Sequence, residues 1–190
     1  MKAVVVALSD NCFTLLDDGD RVIDKPLRFL RSQAFDRVTI AIRDNVSAVP
    51  DHIGGEFTSV EHIVFSGTIA DVLKTISRED TENGILFVPG DSYFTHPQTT
   101  VSFLPDHSHL MSAWVYDAGD VQLPTGMCFF PVTVFDYIKD WNGLGFLDIL
   151  MLYFQNKLTV YQIEGSWFDL GQETVLDAFT TREKNDLRFL

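Results

Sequence analysis

The stretch Ile85-Leu-Phe-Val-Pro-Gly-Asp91 indicates both the fold class and the place of a ligand site. Its four apolar residues are typical of a buried strand, and the Pro-Gly pair then ends that strand. Asp91 is therefore expected at a strand's carboxyl end, the edge where ligands bind in open α/β sheets. A second acid in a similar setting, Asp169, stands within Gly165-Ser-Trp-Phe-Asp-Leu-Gly171. Two carboxylates brought together there would hold a divalent cation, which usually accompanies phosphate chemistry.

Strands and helices alternate upstream of this stretch. Apolar and β-branched runs predict strands at 3–8, 38–42, 60–65 and 85–88. Apolar residues at helical spacing predict helices at 26–35 and 69–78. This βαβαβ order predicts an α/β fold with a mostly parallel sheet flanked by helices.

The second half of the chain is less regular. Its predicted strands are 101–104, 111–116, 127–130 and 158–163. Its predicted helices are 131–141, 144–155 and 173–184, and a turn is expected at 117–120. The length of 190 residues suits a single domain with a sizeable core.

Composition and charge exclude several classes of function. Hydrophobic residues make up 46% of the chain and aromatic residues 13%, as expected for a well-filled globular protein. The net charge of −13 disfavours nonspecific binding to nucleic-acid backbone or to anionic membranes, so neither is an expected partner. The two cysteines, Cys12 and Cys128, show no metal-type spacing and fit a reducing compartment. The apolar run at 3–8 is too short to span a membrane, and we expect a cytoplasmic protein.

Several segments, in order, resemble the sugar-phosphate nucleotidyltransferases (nucleoside-diphosphate-sugar pyrophosphorylases). The most specific is the Gly-x-Trp-x-Asp-x-Gly pattern at 165–171. The others are Phe87-Val-Pro-Gly-Asp91, the glycine, apolar strand and Pro-containing helix of 126–138, Gly67-Thr68 before a helix, and Lys25-Pro26-Leu27.

The resemblance implies a nucleotidyltransferase-like (Rossmann-like) fold with a nucleotide-binding half, 1–100, and a trimmed sugar-phosphate half, 101–190. It also implies a reaction in which a sugar 1-phosphate oxygen attacks the α-phosphorus of a nucleoside triphosphate and pyrophosphate leaves. By resemblance, Mg²⁺ is the cofactor and the partner is a nucleoside triphosphate or nucleotide sugar. The implied residues are Asp91 and Asp169 for the metal, Gly67, Thr68, Gly90 and Asp91 for the nucleotide, and Gly126 and Trp167 for the sugar; the resemblance assigns no catalytic base.

Three departures from the family's pattern bear on activity. The glycine-rich loop that follows the first strand is replaced by residues 9–20, which hold one glycine and four acids and are expected to repel a triphosphate. Residues 79–138 contain no Lys or Arg, so the family's phosphate-gripping lysine is absent. Each lost donor costs about 10²–10³ in rate. Gln172 stands where a Thr or Ser often follows the last glycine. Lys25, Arg28, Arg31 and Lys157 are the candidate substitutes for the lost cations.

Two functions therefore remain open from the sequence. One is a divergent Mg²⁺-dependent sugar-phosphate nucleotidyltransferase. The other is a non-catalytic relative that binds a nucleotide or nucleotide sugar, as a regulatory or assembly subunit, a homo-oligomer or the partner of another chain. A glycosyltransferase is a third and thinner alternative, because Gly-Asp91-Ser lacks the Asp-x-Asp pair common there. The metal site requires the carboxylates of Asp91 and Asp169 to lie within about 6 Å.

Individual residues also have structural interpretations. Asp91 would serve as a turn residue and Asp169 as a buried acid satisfied by backbone donors. Thr68 would serve as a helix N-cap, and Trp167 as a core residue. His107 and His109 would face one side of a strand, where a metal pair lacks a third ligand.

Overall fold

The computed structural model describes residues 2–16, 18–35, 37–47, 49–50, 53, 57–77, 84–95, 111–133, 158–163 and 165–177. The strands are β1 (Lys2–Ala7), β2 (Arg37–Arg43), β3 (Ser59–Phe65), β4 (Ile85–Pro89), β5 (Ser92–Phe94), β6 (Met111–Asp117), β7 (Gln122–Phe130), β8 (Leu158–Gln162) and β9 (Trp167–Asp169). The helices are α1 (Asp24–Ser32) and α2 (Ile69–Ser77), and a 3-10 turn covers Asp10–Phe13.

A seven-stranded mixed sheet forms the centre of the fold, in the order β3-β2-β1-β4-β7-β6-β8. The strands β1 to β4 are all mutually parallel, and β6 is parallel to β8. Only β7 runs antiparallel to its neighbours, β4 and β6. The predicted α/β fold with a mostly parallel sheet is therefore confirmed.

The two described helices cover opposite faces of this sheet. Side chains of α1, among them Leu27 and Leu30, pack in one core with Ala3, Val5 and Ile40. The second core joins α2 to the alternate sheet positions, including Val4, Val6, Ala41, Leu73 and Ile76. Because β1 and its neighbours are buried on both faces, their sequences are nearly continuous apolar runs, as in parallel sheets generally.

The predicted elements of the first half are confirmed, with bounds shifted by a few residues. Helix α1 ends at Ser32 instead of residue 35, because Ala34 takes a left-handed conformation with φ of 63° and Phe35 N–H bonds back to Leu30 O. Strand β7 begins five residues earlier than predicted. The hairpin that joins it to β6 is closed at Ala118, whose N–H donates to Val121 O, so the pairing extends to Asp117 and Gln122.

Some predictions fall on other parts of the chain. The strand at 101–104, the helix at 144–155 and the two histidines His107 and His109 lie outside the described residues. Only the first residues of the other two predicted helices are described, and 132–133 and 173–177 are helical there. None of the helices in the described ranges combines the length and apolar character needed to cross a bilayer.

A second, two-stranded sheet was not predicted, and it builds the site. Strands β5 and β9, three residues each, pair antiparallel at the carboxyl edge of the main sheet. A small apolar cluster formed by Leu16, Val22 and Leu170 packs against the rings of Tyr93 and Phe168 from this ribbon. The ribbon is thereby attached to the segment that follows β1.

Candidate metal and nucleotide site

Asp91 lies just beyond the carboxyl end of β4, as predicted. Gly90 makes the turn that places it there: its N–H donates to Val6 O at 2.8 Å. A Cβ at Gly90 would lie 2.9 Å from the same carbonyl oxygen, closer than real contacts allow. Only glycine therefore lets the chain pass this close to β1 and direct Asp91 over the sheet edge.

The β5–β9 ribbon brings Asp169 to Asp91. In this pairing Ser92 is opposite Asp169, so the residue before Ser92 neighbours the end of β9. A Cβ placed on Gly171 would lie 3.1 Å from Asp169 Oδ1 and closer still to Asp91 Oδ2. The two oxygens therefore lie within about 6 Å of each other, the separation that one shared divalent cation requires. The empty side of Gly171 is the space between them.

Burial and the closeness of the two acids affect the ionisation of Asp91. Burial and then the nearby charge of Asp169 raise the pKa of Asp91 to about 6. Burial, followed by the charge of Asp91, likewise raises the pKa of the Cys12 thiol to about 12. Cys12 is therefore a neutral, buried neighbour beneath Gly90, where a Cβ would meet its Sγ at 3.3 Å.

Hydrogen bonds fix the turn that carries Asp169. Leu170 N–H donates to Asp91 O at 2.8 Å, and Gly171 N–H donates to Asp169 Oδ1 at 3.1 Å. Gln172 Nε2 donates to Asp169 Oδ2 at 2.9 Å. Asn11 Nδ2 donates to Gly171 O at 3.0 Å. Nothing in the local sequence marks Asn11 for this role, because its partner lies 160 positions away.

Two carboxylates suit a hard divalent cation, since Mg²⁺ is usually bound by one or two carboxylates, with waters and substrate phosphates completing the shell. Within the described ranges, no group of three or more His, Cys, Asp or Glu side chains gathers as a metal cage would. The geometry of Asp91 and Asp169 therefore fits an open site that shares its cation with a ligand.

Gly67 and Thr68 lie at the same carboxyl edge of the sheet as Asp91, but they follow β3, the outermost strand. Asp71 Oδ2 accepts hydrogen bonds from Thr68 N–H at 2.7 Å and from Thr68 Oγ1 at 3.0 Å, so both polar groups of Thr68 serve the start of α2. Strands β2 and β1 separate β3 from β4, which puts this turn about 14 Å from Asp91. The distance would have to be spanned by an extended ligand, and contact with the base stays a prediction.

Gly126 and Trp167 flank the acid pair on the side of β7 and β9. Gly126 has φ of 77°, and a Cβ there would lie 2.8 Å from Pro89 Cγ, so its backbone packs directly on the end of β4. Trp167 Nε1 donates to the buried Ser92 Oγ at 3.2 Å, and its ring packs against the core. Both residues thus have structural roles here, and contact with a sugar stays a prediction.

An open cleft of about 530 Å³ adjoins Trp167 at the carboxyl ends of β6 and β8. It is lined by Tyr116, Asp117, Gln162, Ile163 and Gly165. Gln162 Nε2 donates to Asp117 Oδ2 at 3.2 Å, and the Tyr116 and Trp167 ring centroids are 6.4 Å apart. An aromatic ring beside a carboxylate and an amide is a surface suited to hydroxylated ligands.

Asp18 and Asp20, two of the acids that replace the glycine-rich loop, are partnered, and Asp17 lies outside the described residues. Lys25 Nζ bonds to Asp18 and lies 3.3 Å from Asp20 Oδ2, while Arg28 forms two hydrogen bonds with the Asp20 carboxylate. Burial raises the pKa of Asp18, but the hydrogen bond and charge of Lys25 outweigh it and hold that pKa below its usual value. Repulsion of a triphosphate by these acids is therefore weaker than their number suggests.

The same pairing removes two of the predicted substitute cations. Lys25 keeps only 8% of its side chain exposed and lies 5.4 Å from the centre of the Tyr93 ring. Asp10, the first acid of the segment, accepts hydrogen bonds from Ser47 N–H and Oγ. Lys157 lies outside the described residues.

Comparison with solved structures identifies the fold. A Bacillus anthracis structure described as a glucose-1-phosphate thymidylyltransferase, solved with sucrose, matches with a TM-score of 0.73 and 17% identity over 95% of this chain and 94% of that chain. A UTP-bound UGPase from Acinetobacter baumannii matches with a TM-score of 0.74 and 10% identity over 96% of this chain and 92% of that chain. A Mycobacterium tuberculosis protein in complex with manganese matches with a TM-score of 0.69 and 16% identity over 95% of this chain and 97% of that chain.

These likenesses show the fold alone, because the identities are low. No protein-family model matches the sequence. No curated protein matches it either. The predicted resemblance to sugar-phosphate nucleotidyltransferases is thus confirmed at the level of the fold.

Proposed function

We propose that this chain binds a nucleoside triphosphate through a divalent cation shared by Asp91 and Asp169, and transfers the nucleotidyl group to a sugar 1-phosphate. One observation carries the proposal: the two carboxylates lie within about 6 Å, beyond the carboxyl edge of a sheet with the nucleotidyltransferase fold. Mg²⁺ is the cation we expect. The manganese bound in the Mycobacterium tuberculosis neighbour supports divalent metal use, and the UTP of the Acinetobacter neighbour supports nucleotide binding.

The chain's own groups would position the reactants. Asp91 and Asp169 would hold the cation, which offsets phosphate charge when it is bound. A sugar 1-phosphate oxygen is already ionised at neutral pH, so its attack on the α-phosphorus requires alignment more than a base. The phosphorus–oxygen bond to the leaving pyrophosphate breaks as the new one forms. This chemistry is consistent with a site in which no catalytic base is assigned.

The sugar would lie in the cleft beside Trp167. Tyr116, Asp117 and Gln162 offer hydroxyl-binding groups there, and Gly165 leaves room at the entrance. This arrangement is consistent with the division of the chain into a nucleotide half, 1–100, and a sugar-phosphate half, 101–190, which we retain as part of the proposal. Both cysteines are free and buried, which is consistent with a cytoplasmic protein.

A second candidate is a protein that binds a nucleotide or nucleotide sugar without transferring it. A specific observation favours it: the segment after β1 is a packed 3-10 turn, and the nearby cations Lys25 and Arg28 are already paired with acids. Losing one charge-stabilising donor at a reacting centre costs about 10²–10³ in rate. Such a protein would act as a regulatory or assembly subunit.

The experiment is a thermal-shift panel of nucleoside triphosphates and nucleotide sugars, each with and without Mg²⁺, on wild type and on Asp91→Ala. A ligand at 100 times its Kd stabilises a fold by about 2.7 kcal/mol, a readily measured shift. A Mg²⁺-dependent shift that Asp91→Ala abolishes supports the site, and release of pyrophosphate with a sugar 1-phosphate then separates the enzyme from the binding protein. A panel without any shift would refute both candidates, and a shift that Asp91→Ala leaves unchanged would refute the shared-cation site and with it the enzyme.

A further inference from the structure

The turn that carries Asp169 is held by two neutral side-chain amides, which bond to different atoms of it. Gly171 O, as a carbonyl, can only accept a hydrogen bond, so the nitrogen of the Asn11 amide must face it. An ionised carboxylate also only accepts, so the Gln172 nitrogen must face Asp169 Oδ2. Both amide orientations follow from the chemistry of their partners.

Asn11 is firmly anchored. It belongs to the 3-10 turn Asp10–Phe13, in which Cys12 and Phe13 are buried. Leu170, in the turn that Asn11 contacts, is fully buried in the cluster with Leu16 and Val22. The bond from Asn11 to Gly171 O therefore joins two segments that are each fixed from below by apolar packing.

The neutrality of these donors has a physical consequence. Two carboxylates within about 6 Å repel each other, and without restraint the Asp169 turn would relax away from Asp91. A lysine or arginine would also hold the turn, but its charge would compete with the metal for the same oxygens. An amide supplies the hydrogen bond while it leaves the negative charge of the pair intact.

We infer that Asn11 and Gln172 are positioning residues that set the affinity of the acid pair for a divalent cation. The inference rests on the proposed function, because it assumes that Asp91 and Asp169 bind a metal. Neither Asn11 nor Gln172 would itself be a ligand of the cation. Asn11 acts through the Gly171 carbonyl, which is not a ligand of the cation, and Gln172 acts through the Asp169 carboxylate, which is. Outer-shell partners of this kind typically change metal affinity by about 10–100-fold when they are removed.

The test is a titration of the full chain with Mn²⁺, in which free Mn²⁺ is followed by its electron paramagnetic resonance signal. The variants are Asn11→Ala, Asn11→Asp and Gln172→Ala. The control is Gln33→Ala, which removes an amide that bonds Ser32 Oγ at the end of α1. We expect about tenfold weaker Mn²⁺ binding in Asn11→Ala and in Gln172→Ala, and no change in the control.

Asn11→Asp keeps the side chain's shape but cannot donate to Gly171 O when it is ionised. It therefore carries the test if Asn11→Ala fails to fold, together with Gln172→Ala at an exposed position. If the two amides are merely structural, the variants should melt at a lower temperature than wild type in EDTA, while Mn²⁺ raises their melting temperature as much as it raises that of wild type. If the amides position the acid pair, Mn²⁺ should raise the melting temperature of the variants less than that of wild type.

The outcomes separate the inference from its premise. If wild type binds no Mn²⁺, or if Asp91→Asn binds Mn²⁺ as tightly as wild type does, the proposed metal site fails and the inference fails with it. If wild type binds Mn²⁺ through Asp91 but both amide variants bind within twofold of wild type, the metal site stands and the inference alone is overturned.

Discussion

Replacing Gly171 by alanine is the sharpest perturbation of the acid pair. The new methyl carbon would lie 3.1 Å from Asp169 Oδ1 and from Asp91 Cγ, and closer to Asp91 Oδ2. Ordinary contacts of such a carbon begin at 3.4 Å, so Asp169 must move by about 0.3 Å and Asp91 by considerably more. The φ of Gly171 lies outside the left-handed region, so alanine meets no backbone strain.

The expected result is a selective loss of metal binding. Mg²⁺ demands near-ideal geometry at about 2.1 Å from its ligands, and a methyl between the two carboxylates both displaces them and fills the space of the cation. We expect Mn²⁺ and Mg²⁺ affinity to fall at least about tenfold, or 1.4 kcal/mol. Stability of the metal-free protein should stay within about 1 kcal/mol of wild type.

Calorimetric titration with Mn²⁺ and urea unfolding in EDTA measure the two quantities. Gly119→Ala is the matched control, because Gly119 has φ of 94° and nothing within 4 Å of its Cβ position. It should destabilise the fold by about 1 kcal/mol through backbone strain while Mn²⁺ binding is unchanged. Undiminished Mn²⁺ affinity in Gly171→Ala would refute the geometry on which the site is built.

The remaining predictions concern pH, the acidic segment and the start of α2. The pKa of Asp91 is about 6 in the folded protein and 3.8 in the unfolded chain, so the folded protein binds the proton more tightly. The metal-free protein should therefore lose up to about 3 kcal/mol of stability as pH rises from 3.8 to about 6. Urea unfolding in EDTA, compared with Asp91→Asn, measures this loss. Mn²⁺ affinity should show the opposite trend and decline below pH 6, since the cation needs the ionised carboxylate. Asp18→Asn combined with Asp20→Asn should strengthen triphosphate binding about threefold or more in a calorimetric titration, because it frees Lys25 and Arg28 of α1 from their ion pairs. Unchanged or weaker binding would contradict this. Asp71→Ala should lower the free energy of unfolding by about 1 kcal/mol, because Thr68 N–H loses its acceptor; an equal melting temperature would show that this contact contributes nothing.

The layout of the sheet could be predicted because burial on both faces leaves a clear mark in sequence. Strands β1 and β4 are almost entirely apolar, and the interior of β2 is buried. Pro89 and Gly90 end β4, so Asp91 could be placed at the edge. The closeness of Asp91 to Asp169 was expected from the resemblance to a family. No periodicity in the sequence can relate Asp91 to Asp169, because they lie 78 positions apart.

The details of the site could not be predicted, for physical reasons. Strands β5 and β9 have three residues each, too few to show alternation. The pairing of the acidic segment with Lys25 and Arg28 depends on how that segment folds back over α1. Asn11 was ordinary in sequence, since its role depends on a carbonyl group brought close only by tertiary structure.

The pairing of β5 with β9 also bears on the order in which the molecule folds. The parallel strands β1 to β4 lie within the first 89 residues, and β4 pairs with β1 across a loop of more than 70 residues. The acid pair also requires β5 to meet β9 across a loop of more than 70 residues, and Asp169 follows β4 by 80 positions. During synthesis strands β1 to β4 can therefore pair well before Asp169 is available to the proposed metal site. Mn²⁺ binding would report that β5 and β9 have paired, and a chain that ends before residue 169 would lack one of the two carboxylates.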